Sequence, residues 1–133
     1  MPWECVILGI PVSVNTRNKV KKQRWRDAVQ AAARAEWPDG EAPLACKLTI
    51  HITYYHDRAP LDVDNMMKPI QDALNGIVYV DDKLLTDRHS HLRDLNDAYR
   101  VRGLSRAQAE GFMADTPFVH IRIEASSPTV ELP

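Results

Sequence analysis

A chain of 133 residues, 44% of them hydrophobic, is the size of one domain and holds enough apolar side chain to close a single core. Charged residues make up 26% and the formal net charge is −1, which excludes both a disordered chain and a uniformly basic nucleic-acid coat. Two cysteines, Cys5 and Cys46, give no disulfide framework; each sits in an apolar stretch that reads as buried strand, where a thiol behaves as a small hydrophobe. The start lacks the basic and apolar regions of a signal peptide, and no apolar stretch approaches about 18 residues, so the expectation is a reducing cytoplasm and no membrane span.

Trp3 to Ile10 is β-prone and ends at Gly9 and Pro11, predicting a first strand before a Ser13-Val14-Asn15 turn. Val20 to Trp37 has neither Gly nor Pro and repeats Trp25, Ala28, Val29, Ala32 and Ala33 at helical spacing, predicting an amphipathic helix stopped by Pro38-Asp39-Gly40. Leu44 to Tyr55 alternates, with Cys46, Leu48, Ile50 and Ile52 on one face, and reads as the clearest strand. A polar loop from His56 to Pro60 follows.

From Asp64 onward, Met66, Met67, Ile70, Ala73 and Leu74 predict a second helix, capped by Asp64 or Asn65 and stopped by Asn75-Gly76; Pro69 opposes it but falls near the first turn. Ile77 to Val80 is a short β-rich run ending at Asp81-Asp82-Lys83, and Leu84 to Leu95 continues as a polar, partly exposed strand. Ser105 to Gln108 has the capping-box form and opens a short helix limited by Gly111. Phe118 to Ile123 alternates as a half-buried strand. The expectation is an α/β (α+β) fold: one layer of mixed β-sheet with two main helices on one face, a single domain over 1–125 and a flexible tail over 126–133.

Charge is uneven along this order. Arg17, Lys19, Lys21, Lys22, Arg24 and Arg26 follow one another with no acid among them, whereas the stretch from Asp57 to Asp97 is net acidic. Such a basic run is either the solvated face of a helix or a phosphate contact, and the lack of intervening acids favours the contact. Within the acidic stretch, Asp62 and Asp64 are two apart and would share a side in an extended segment, while Asp82, with Asp81, stands at the end of the following apolar run. Two or three carboxylates from separate segments suffice for Mg²⁺, which keeps waters and phosphate oxygens as its other ligands.

Lys68 would place a point charge near a scissile phosphate, and Asp72, four residues on, would orient that lysine. The same residues also serve as helix caps and turns, so spacing alone leaves both readings open. An EF-hand is excluded, since Met67 and Ala73 stand where Gly and Glu are required. Asp87, His89 and His91 would share a face as a solvated edge strand; His51, His56 and His120 offer no specific pattern, and Ser13 lacks catalytic partners.

The run Asp62-x-Asp64-Asn65-x-x-Lys68-x-x-x-Asp72-x-Leu74, continuing through Asn75-Gly76 to Asp81-Asp82, resembles the signature of RusA-type Holliday-junction resolvases. The Pro11-x-Ser13-x-Asn15 turn, the basic stretch and Trp25-Arg26-Asp27 are similar to that family as well. The resemblance implies a small homodimeric endonuclease that resolves four-way DNA junctions by paired symmetric nicks in recombination and repair, using Mg²⁺ (or Mn²⁺) and leaving 5′-phosphates. It implies that Asp62, Asp64 and Asp82 are the essential carboxylates and metal ligands, that Lys68 is the catalytic lysine, and that Asp81 is the secondary acid of its pair. Asn65 and Asp72 would support them. DNA would be held by Asn15, Arg17, Lys19, Lys21, Lys22, Arg24 and Arg26. The segment from Asp97 to Thr116 is longer than a compact hairpin. Two other readings stand beside this one: a non-catalytic junction-binding protein of the same fold, and a nuclease for other branched DNA or for RNA.

Overall fold

The computed structural model describes residues 2–58, 63–97 and 104–127, with the backbone alone of Val63 and Asp64. Its elements are β1 (Trp3–Leu8), α1 (Lys19–Glu36), β2 (Leu48–His56), α2 (Val63–Leu74), a 3₁₀ turn (Asp82–Leu84), β3 (Leu85–Asp94), α3 (Arg106–Met113) and β4 (Phe118–Ala125). The strands form one mixed sheet in the order β1-β4-β2-β3. β4 runs antiparallel to both β1 and β2, and β3 lies parallel to β2 at the edge.

The alternation in β2 decides which face becomes core. Leu48, Ile50, Ile52 and Tyr54 are almost wholly buried, and through the ladder they stand beside Ile123, Ile121 and Val119 of β4. β1 continues the layer with Cys5 and Ile7 opposite Ile121 and Val119. α1 closes it with Trp25, Val29 and Ala33, spaced four apart on one stripe, and α2 with Met66, Ile70, Ala73 and Leu74. Each fully buried aliphatic side chain contributes about 1.5–3 kcal/mol of transfer free energy, so this layer dominates the stability. Asn18 caps α1, its side-chain oxygen accepting the Lys21 N–H at 3.0 Å.

The mixed sheet with α1 and α2 on one face agrees with the sequence reading, and α3 adds a cover on the other face. There Phe112 packs edge-on against Tyr55 and Phe118, which point away from the main core. The capping box at Ser105 and Gln108 is formed, but the helix runs through Gly111 to Met113 instead of stopping there. Gly111 is a packing residue, since a Cβ on it would collide with the Phe118 ring.

Other sequence expectations are corrected. Ile77–Val80 is a turn and not a strand: the Gly76 N–H donates to the Tyr79 carbonyl at 2.8 Å, and Tyr79 makes only isolated bridges with Leu44 and Asn75. Ile77, Val78 and Tyr79 are all buried, and the Ile77 and Val78 N–H groups donate back to the Leu74 carbonyl at 3.1 and 3.2 Å, turn bonds that no strand makes. Leu44 is taken up in holding this turn, through Leu44 N–H to Val78 O at 2.8 Å and Val80 N–H to Leu44 O at 3.0 Å. β2 therefore begins only at Leu48, and Cys46 is exposed where a buried strand residue was expected. At its other end β2 absorbs His56, read from sequence as loop, while β1 stops at Leu8, short of Ile10. Ser126, assigned to a loose tail, is tied to the sheet, with its hydroxyl 3.0 Å from that of Thr49 and its N–H donating to Lys47 O at 2.9 Å.

Candidate active site

The candidate site depends first on where α2 sits. Pro69 has no N–H to offer the carbonyl of Asn65, four residues back, and that carbonyl instead accepts the Val14 N–H at 2.8 Å. The bond lost from the helix is replaced by one that ties the β1–α1 loop to the first turn of α2. At the far end, Asn75 donates to Asp72 O at 3.3 Å, which leaves the Gln71 carbonyl to accept the Tyr79 hydroxyl at 2.6 Å. Gly76, at φ +80°, makes the reversal that brings Tyr79 back to the helix. These two ties hold α2 against α1 on one side and carry the chain to Asp81 and Asp82 on the other.

A cleft of about 300 Å³ results, lined by Lys68 and Gln71 of α2, Asp82, and Arg88 and Ser90 of β3. The structure thus brings Lys68, Asp72 and Asp82 together from two separated segments. Lys68 Nζ lies 3.3 Å from Asp72 Oδ1, the i,i+4 pair that the spacing suggests. Asp72 also reaches the Asp82 carboxyl as a hydrogen-bond neighbour. Burial, followed by the facing Asp81 and Asp72 carboxyls, raises the Asp82 pKa above the ordinary carboxylate value. Asp81 is shifted the other way, chiefly because its side chain accepts the Lys83 N–H at 2.9 Å. Beneath the group, burial and then the charges of Asp82 and Asp72 raise the pKa of Tyr79.

Asp62 lies outside the described residues. Asp64 and Asn65 fall inside the first turn of α2, which begins at Val63, so neither is the helix cap expected from sequence. Among the described residues no group of three or more His, Cys, Asp or Glu side chains is arranged around a metal position. The donor chemistry at Asp82 nevertheless suits a hard divalent cation: carboxylate oxygens crowded by like charge, with one pKa raised by burial and then by its neighbours.

Arg88 was missed by the sequence reading. Its Nη2 donates to the Asp82 carbonyl at 3.1 Å, buttressing the turn that carries the acid and placing a guanidinium in the cleft. A signal was present: Arg88 has the same strand phase as Leu92, and it stands beside Ile50 of the buried face, where an apolar residue is the default.

The basic segment divides in two. Asn15 and Arg17 are exposed in the loop before α1, while Lys19, Lys21, Lys22, Arg24 and Arg26 are exposed on α1 itself. No acid stands in the first turn of α1, so its lysines add to the positive end of the helix dipole. That arrangement costs stability and concentrates positive potential beside the cleft. On the opposite face of the sheet the histidines find local partners. The His120 ring lies 2.9 Å from Glu4 and that of His51 lies 3.6 Å from Glu124, with His51 stacked on His89. His89 and His91 are solvent-exposed on the edge strand, as expected.

Among the described residues no helix is long and apolar enough to cross a membrane. A family model described as endodeoxyribonuclease RusA matches residues 12–124. No curated protein matches the chain.

Proposed function

The chain belongs to the RusA endodeoxyribonuclease family, and on that premise we propose that it resolves four-way DNA junctions by paired nicks, using a divalent cation, Mg²⁺ or Mn²⁺. The observation that carries this reading is the meeting of Lys68 and Asp82 across one cleft, with Asp72 paired to Lys68, facing Asp82 and standing beside Lys19, Lys22 and Arg26 of α1.

In this reading Asp62, Asp64 and Asp82 hold the cation, with Asp81 in support. Bound there, it would supply positive charge against the phosphate and make a water acidic enough to attack at neutral pH. The chain's own residues do the rest. Lys68 sets a compact positive charge where negative charge builds on the phosphoryl oxygens. Asp72 positions that ammonium through their pairing at 3.3 Å. Arg88 keeps the Asp82 turn in register through its bond to the Asp82 carbonyl and offers a second cation to the phosphate. Arg17, Lys19, Lys21, Lys22, Arg24 and Arg26, with Asn15, hold the backbone of the DNA arms, an attraction that weakens as salt rises.

A homodimer belongs to the same proposal, because symmetric cuts across a two-fold junction need two related sites. The deciding experiment is nicking of a synthetic four-way junction in Mg²⁺ by the wild type and by Asp64→Asn. Paired nicks by the wild type and none by the variant are expected; equal cutting would remove the assignment. Flap, duplex and RNA substrates in the same assay test the junction preference, and sedimentation with DNA present tests the dimer.

A further inference from the structure

A second cleft lies on the other side of Asp72, between α1 and α2. Its volume is about 410 Å³, within the range of small-ligand sites, and its floor is apolar: Val12, Val14, Trp25 and Pro69. Its rim is cationic, formed by Lys19, Lys22 and Arg26, which recur along one side of α1. Asp72 borders this cleft and is paired with Lys68 of the catalytic cleft, so the two spaces share a wall.

Backbone binding alone does not account for such a surface. A phosphate needs exposed cations and gains nothing from an apolar concavity, whereas a nucleobase carries an apolar face that gains from burial beside its charged phosphate. Trp25 is 6% exposed and shows the cleft only a small part of its ring, so the apolar contact for a base comes mainly from Val14 and Pro69, which are half-buried. The floor is also held open by construction, because the bond from Val14 N–H to Asn65 O fixes the loop wall against α2.

We propose that the α1–α2 cleft is a nucleotide pocket that takes one unstacked nucleotide of the bound strand, its base against Trp25, Val14 and Pro69 and its phosphate on Lys19, Lys22 and Arg26. The pocket rests on the nuclease reading above and adds to it a device for registering the strand. A nucleotide seated on one side of Asp72 fixes which phosphate reaches Lys68 and Asp82 on the other. Branched DNA suits this, since bases at a discontinuity in pairing cost less to extrude than bases within a duplex.

The test is an abasic scan. Four-way junctions, each with a single abasic position walked along one strand through the branch point, are titrated with the full-length protein and followed by fluorescence anisotropy. One position is expected to bind the wild type roughly 10-fold more weakly than its neighbours, as the loss of one base's apolar contact predicts. Val14→Trp, which fills the cleft and leaves the buried Trp25 in place, should bind every member alike while retaining the wild-type circular dichroism and melting temperature. Uniform wild-type binding across the scan, or no binding to any member, would overturn the pocket. Cleavage of the unmodified junction is measured alongside, so that a flat scan with normal nicking rejects the pocket and spares the nuclease. A peaked scan without nicking does the reverse.

Discussion

The two faces of the sheet treat their ionisable groups in opposite ways. On the face that α3 partly covers, His120 and His51 each meet an opposite partner, Glu4 and Glu124. At the margin of the helix-covered face, Asp82 meets two further carboxyls, Asp81 and Asp72, and its backbone is held by Arg88 without its charge being neutralised. Opposite-charge pairing is what folding alone selects, and like-charge crowding is what it avoids. The second arrangement persists where a ligand supplies the missing charge, which is why the α2–β3 cleft reads as chemistry and the histidine face as structure.

This contrast is sharpest at Asp82. Asp82→Asn should reduce junction cleavage on the order of 10³-fold while DNA affinity holds and thermal stability rises, because one of the crowded charges has gone. A fall in stability with cleavage intact would invert the comparison. Lys68→Ala should reduce cleavage on the order of 10²-fold with little change in melting temperature, since its side chain is 66% exposed and its pairing with Asp72 is a surface one. Unchanged single-turnover rates would remove Lys68 from the chemistry.

On the histidine face the largest effect should be on folding. Glu4→Ala strips the buried His120 ring of its partner and should cost about 1–3 kcal/mol in urea denaturation, leaving cleavage per folded molecule unaltered. Acid should act through the same group. Burial holds the His120 pKa below its ordinary 6.5 despite Glu4, and burial also lowers those of His51 and His91. The unfolded chain then binds more protons than the native one, so stability held above pH 6.5 is lost as the pH falls below it. Urea midpoints that stay level between pH 7.5 and pH 5.5 would contradict this sign. The smallest effect should come from Glu124→Gln: its contact with His51, 3.6 Å long and about one-third exposed, contributes about 0–1 kcal/mol.

Much of this was legible in local pattern. The period of α1, the alternation of β2 from Leu48 to Tyr54 and the capping box of α3 depend on side chains within a few residues of one another, and each formed as read; β4 formed in place, but Phe118 to Ile121 are buried on both faces and not on one, because Phe112 of α3 packs on the second. Ile77–Val80 was not legible. Its β-prone residues turn inward together because Leu44 and the Gln71 carbonyl, distant in sequence, are there to hold them. Pro69 was read as a local cost, although its effect is to release the Asn65 carbonyl for the loop at Val14.

By itself the sequence determined the residue types and spacing of the acidic run, the basic segment without acids, and a mixed sheet under two helices. Those follow from local periodicity and from side-chain chemistry that travels with each residue. Only the tertiary structure decided that Asp72 would stand between two clefts, that Arg88 would buttress Asp82, and that Trp25 would floor a pocket beside three cations. These are relations between segments, set by how α2 packs between α1 and β3, and no interval along the chain encodes a distance across the fold.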